Sequence, residues 1–216
     1  FKKYLGILLL FFLVLIKIQD GNFVMKIENI SYDIYQSLFI KKSNFDDVVI
    51  VDIDEKSIGE IGQFPWRRDV FANLIERLNQ YGVSVITFDI FFSEKDRQNP
   101  KNILEEFNIE NNNVLDSDQK LLEIIQKSNV VLPVLGDISM YNKDNSSKPK
   151  TNIILRGVDA SNYIYSFKNK ITSLDKLNNA AKGIGTISYL DSPDAVLRSV
   201  PIFLKIGNDT WPALSL

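Results

Sequence analysis

The chain has 216 residues, 45% of them hydrophobic and 24% charged, enough for one domain with a real core and hardly for two. With 25 basic and 27 acidic residues the formal net charge is -2, and no basic stripe is interleaved with aromatics, which argues against a nucleic-acid partner. Cys and His are both absent, which excludes thiolate catalysis, disulfides, the usual zinc sites and an imidazole base, and leaves acid/base chemistry to carboxylates, Tyr or Lys.

Lys2 and Lys3 precede a charge-free run from Tyr4 to Ile16, and Lys17 follows it. The run is short for a span of about 20 residues, but no small-x-small cleavage pattern comes after it, so residues 1–22 are expected to be an uncleaved membrane anchor rather than a cleaved signal or a core helix. The first residue is not Met, so further residues are expected upstream. The lysine pair places the start of the anchor in the cytoplasm of a cell whose inner or plasma membrane it enters, and residues 23–216 outside the cytoplasm as a single domain. Phe23, Ile27, Ile30, Ile34 and Leu38 recur at helical spacing and predict an amphipathic helix over 24–42. Its apolar stripe either packs on a sheet or passes motion to the membrane.

Val48 to Asp54 reads VVIVDID and Val85 to Phe92 reads VITFDIFF, with a helix-like stretch between them. Strands buried on both faces read as continuous Val/Ile runs, and a helical crossover joins parallel neighbours, so the pattern is βαβ. The crossover opens at Phe64-Pro65-Trp66-Arg67-Arg68-Asp69. Val70, Phe71, Leu74, Ile75 and Leu78 form its buried face, and Gly82 is placed to stop it. Beyond Ser93 comes a polar, Asn-rich excursion to about Ser117, expected to be a surface insertion with at most one short helix. Leu121, Leu122, Ile124 and Ile125 mark a helix capped by Ser117 or Asp118, and Val130 to Leu135 a buried strand. Residues 137–152 read as a loop. A short helix is expected from Ser173 to Ala181 with Gly183 as its stop, then strands 184–190 and 197–206 as an antiparallel hairpin. The fold class is α/β, a mainly parallel sheet of β-α-β-α-β units with an added C-terminal antiparallel hairpin, behind an N-terminal anchor helix.

Three acids should crowd one edge of such a sheet. Asp52 and Asp54 share a strand face, and Asp89 ends the neighbouring strand. With Trp66 as a wall and Arg67 beside it, they form a candidate ligand-binding rim for a hard cation or a small polar molecule. The structural alternative is that the carboxylates cap loops or pair with Arg67 and Arg68, and that Trp66 packs at a helix start. Asp191, Asp194 and Arg198 suit a surface ion pair worth at most about 1 kcal/mol.

The motifs VVIVDID, GQFPWRRD, GVSVITFDIFFSEKD, NVVLP, GIGTISYLDSPDAVLRSVPIFLKIG and WPALSL, in this order from about Asp33 to Leu216, resemble the type-two CHASE domain, a cyclase- and histidine-kinase-associated sensing extracellular domain. The resemblance implies an anchor, an exported sensing domain, further membrane helices, and a cytoplasmic output: a nucleotide cyclase, a diguanylate cyclase or a kinase. Two departures stand out. Phe64 and Phe71 occupy positions where the family often has Trp and His, and Ala195 replaces a turn Gly, which implies a turn without positive φ there.

The expectation is a non-catalytic sensor domain with no cofactor, bound to an unidentified small-molecule or ionic ligand and to the membrane, and paired as a homodimer in the full receptor. The alternative is a metal-dependent phosphoester hydrolase or cyclase using Asp52, Asp54 and Asp89, since carboxylates after a strand suit two-metal chemistry. No Gly-rich phosphate loop and no Walker lysine motif support it. A structural envelope or interaction domain is a third reading.

Overall fold

The computed structural model describes residues 2–19, 21–40, 47–109, 113–137, 147–151, 163–189 and 194–216. The chain forms two compact units, residues 1–53 and 54–216.

The first unit holds helices α1 (Lys2–Gln19) and α2 (Gly21–Leu38). The apolar side chains of α1 from Tyr4 to Leu15 are exposed. Its 18 residues include three lysines, and no described helix is long and apolar enough to cross a membrane. In α2 the expected stripe is present but uncovered, with Ile27, Ile30, Ile34 and Leu38 at 49 to 72% exposure. The VVIVDID run corrects the sequence reading. It forms no strand, and Val48 to Val51 are 59 to 88% exposed. A β-branched run signals the capacity for a strand, but a ladder needs a partner, and here the chain turns at Asp54 directly into a helix.

In the second unit, α3 (Glu55–Ile61) leads through the Phe64-Pro65 cis peptide to α4 (Arg68–Gln80). Phe71, Ala72 and Ile75 of α4 are buried, as are Leu121 and Ile125 of α6 (Ser117–Lys127), which packs against it. Gly82 follows α4 with φ +79°, the left-handed residue that the sequence placed there. Only Ile86–Thr87, strand β1, is paired from the VITFDIFF run. Phe88 and Phe92 from the same run are buried against Phe71, with the three ring centroids 5.3 to 6.2 Å apart. The polar excursion contains α5 (Pro100–Glu106), capped by Asn99 with Pro at the first helical position. The cap of α6 is Asp116, which accepts the Gln119 amide at 3.1 Å, and neither Ser117 nor Asp118 takes that role because both side chains are turned toward Asp96.

β2 (Val130–Asp137) is the central strand of a four-stranded sheet. Val131 pairs with both Thr87 and Gly183, and Val134 with both Thr172 and Thr186. Thus β5 (Gly183–Thr186) takes one edge of β2, while β1 and β4 (Asn169–Thr172) share the other. β1 and β5 run parallel to β2, and β4 runs antiparallel. Helix α7 (Asp175–Ala180) precedes β5, so Gly183 opens a strand instead of stopping the helix. The expected 184–206 hairpin is also corrected. β5 belongs to this first sheet, whereas β6 (Phe203–Ile206) sits in a second sheet between β3 (Ser166–Phe167) and β7 (Asp209–Pro212). The C-terminal antiparallel hairpin is β6–β7, turning at Gly207-Asn208. Trp211, fully buried with Val134, Ile184 and Ile206, joins the two sheets. The fold is therefore mixed α/β with two sheets.

Ala195 has φ +57°, so the turn keeps a left-handed residue although its side chain is not Gly. An L residue in that region costs roughly 1–2 kcal/mol, of which part is offset by the smaller backbone entropy that Ala loses. Ala195→Gly should raise stability by about 0.5–1 kcal/mol in urea unfolding.

Gly185 meets the chain more closely. A Cβ there would lie 2.5 Å from Leu214 Cα and 2.9 Å from the Ala213 carbonyl, where the Leu214 amide bonds Thr186 O at 2.9 Å. One at Gly183 meets only Val131 methyls at 3.5 Å. Overpacking against backbone costs on the order of 1–3 kcal/mol or more. Gly185→Ala should lose at least about 2 kcal/mol, with Gly183→Ala well below that.

Candidate functional site

Asp54 sits immediately before α3, and its Oδ1 accepts the Ser57 amide at 2.8 Å and the Ser57 hydroxyl at 2.6 Å. These bonds, the hydroxyl first, hold its carboxyl below the usual range. It is a helix cap. The far end of α3 is held by Trp66, whose indole Nε1 donates to Gly62 O at 2.6 Å. The Trp66 ring, partly buried, lies 6.0 Å from Phe64 and 6.2 Å from Phe71. It extends the Phe71-Phe88-Phe92 cluster outward to an exposed Phe64. Asp89, exposed, follows Phe88 at the end of this cluster.

Arg67 grips Asp69 through two bonds, Nε to Oδ1 at 2.9 Å and Nη2 to Oδ2 at 2.7 Å. Asp69 is buried in the first turn of α4. The hydrogen bond from Arg67 is the main cause holding its carboxyl below the ordinary value, and the same bond raises Arg67. A carboxyl pKa depressed on folding stabilises the fold above the unfolded value of about 4, and that contribution is lost as pH falls through the folded value. Arg67 thus already has a carboxylate partner.

Arg68 anchors a larger network. Its guanidinium lies 4.5 Å over the Phe92 ring and donates to Glu94 O at 3.2 Å. Burial pushes its pKa down, while Asp96 and Asp118 oppose this. Its amide donates to Asp96 Oδ2 at 2.8 Å, which also accepts the Ser117 hydroxyl at 2.6 Å. Asp96 Oδ1 takes the Gln98 amide at 2.9 Å. The Asp96 amide in turn bonds Asp118. Asn99, also buried, donates to Asp116 at 2.9 Å and accepts the amides of Lys101 and Ser117. At Asp116 burial raises the pKa, but the Gln119 amide, Asn99 and Lys101 outweigh it and leave it lowered. The excursion read as a surface insertion is thus tied down by three buried side chains, Asp96, Asn99 and Ser117. Its one legible sign was Asn99-Pro100, a cap followed by Pro at the first helical position.

Of the five expected rim residues, Asp52 belongs to the first unit and is exposed, and the other four belong to the second. Within the second unit, Asp54 and Arg67 are engaged locally, and Trp66 reaches Phe71 and, through it, Phe88 beside Asp89. No group of three or more acidic side chains among the described residues is placed to hold a metal ion. Of the expected surface trio, Arg198 pairs with Asp194 through bonds of 3.0 and 2.7 Å, and Asp191 lies outside the described residues.

Removing the Asp96 carboxylate leaves the Arg68 amide, the Ser117 hydroxyl and a buried guanidinium undercompensated. Asp96→Ala should cost about 3–5 kcal/mol in urea unfolding. Asp96→Asn, which retains one acceptor, should cost less.

A family model, the CHASE2 domain, matches residues 7–216. Neither curated proteins nor solved structures gave a match.

Proposed function

We propose that this chain, which belongs to the CHASE2 domain family, is the extracytoplasmic input of a transmembrane receptor whose cytoplasmic output is a cyclase, a diguanylate cyclase or a kinase. The family is a sensory one, and the match over residues 7–216 is the observation that carries the reading. The domain itself binds and does no chemistry. α1 with its flanking lysines serves as the anchor, with Lys2 and Lys3 on the cytoplasmic side. In the full receptor the chain works as a homodimer, and ligand binding shifts the arrangement of membrane helices.

The ligand role expected of Asp52, Asp54, Trp66, Arg67 and Asp89 narrows to the aromatic face around Trp66 and to Asp89. Asp54 and Arg67 support that face, one capping α3 and the other fixing the start of α4 through Asp69. An aromatic wall together with a carboxylate suits a small polar or ionic ligand.

The chain contains no Cys, so Tyr163→Cys, at an exposed position, creates a single thiol. A membrane-impermeant maleimide should label it on intact spheroplasts carrying the full chain. Labelling only after lysis would overturn the topology. In a thermal-shift screen of the full chain, a ligand at 100 times its Kd should add about 2.7 kcal/mol of stability. Trp66→Ala and Asp89→Asn should abolish that shift, and a shift that both variants retain would move the ligand elsewhere.

A further inference from the structure

We infer that the second sheet carries a binding groove for a small organic anion, at the edge formed by β3 and the β6–β7 turn. This site is separate from the Trp66 face and does not depend on the receptor reading. Along β6, Leu204 and Ile206 are buried, so the intervening Lys205 is on the opposite face. The register places Ser166 and Thr210 beside Lys205 on that face. Lys168 follows in the bend between β3 and β4. Ser166, Lys168 and Lys205 border a groove of about 570 Å³, within the size range of small-molecule sites. Ile164 provides its apolar wall, Ser166 and Asn208 its neutral polar groups, and Lys168 and Lys205 its charge, while Phe167 contributes its edge only, its ring being packed on the core.

No acidic side chain lines the groove among the described residues, and neither lysine makes an ion pair there. Asp209, two residues beyond Gly207, pairs with Ile206 on the buried face, where its charge acts on Lys170. Two cations in one concave site raise the local positive potential and concentrate anions. The described lining offers no carboxylate to a metal, and two lysines in a cleft are too few and too local for a nucleic-acid track. An anion with a small apolar body fits, its charge toward the lysines and its body on Ile164.

Calorimetric titration of the full chain with isophthalate, with inorganic phosphate and with neutral benzamide tests the assignment. Isophthalate should bind, more weakly as salt rises, and benzamide should not. Lys168→Gln and Lys205→Gln should each weaken binding about tenfold with the melting midpoint unchanged, while Lys205→Arg, which keeps the charge, should retain it. Phosphate binding as tightly as isophthalate would assign the groove to phosphate-bearing ligands, and isophthalate alone to carboxylates; either supports the proposal. No heat from either anion, or isophthalate binding unchanged in the Lys168→Gln/Lys205→Gln double variant, overturns it.

Discussion

The buried carboxylate of Asp96 sets the arrangement of the second unit on its helical side. It accepts from the first residue of α4, from the hydroxyl that opens α6 and from its own loop, so one side chain fixes three segments far apart in sequence. A buried carboxylate is tolerated only when its lone pairs are filled and a countercharge is near. Arg68 supplies that charge, and Phe92 below its guanidinium shields it from water. Without this knot the excursion between β1 and α6 would be held chiefly by Asn99 and by its own short helix.

The aromatic face depends on the same knot. Arg68 is adjacent to Arg67 and two residues from Trp66, so the bond from its amide to Asp96 fixes where the Trp66 ring meets Phe71. Asp54 and Trp66 brace the two ends of α3 and complete the lead-in. Trp211 plays the corresponding part on the other side, closing the two sheets over Val134 and Ile184. For a sensory domain, this pairs two packed cores with a partly exposed aromatic surface at Trp66 and Phe64.

Elements whose signals are local were legible in the sequence. The stripe of α4 with Gly82 behind it, the apolar pattern of α6, the strand at Val130 and the short helix Asp175–Ala180 all lie where periodicity places them, within a few residues. Partners were not legible. VVIVDID and VITFDIFF look alike as strings, yet one forms no strand and the other pairs over two residues. The expectation that both runs are neighbouring strands, on which the acidic rim was drawn, fell for the same reason. Asp54 carried a readable alternative, an Asp with Ser three residues on, which is a capping pattern. Asp96 carried none, because its partners lie 28 positions before it and 21 after it. Ala195 shows the limit of residue type as a guide, as it takes positive φ where Gly would have done so without strain.

The most direct measurement is residue-resolved hydrogen–deuterium exchange on the full chain. The amides of Arg68, Asp96, Gln98 and Ser117 all donate to side-chain oxygens of the knot, although none lies in the interior of a helix or strand. They should exchange together, far more slowly than that of the exposed Lys95 in the same loop. Exchange as fast as that of Lys95 would mean that the knot does not hold in solution, and the account built on it would fail.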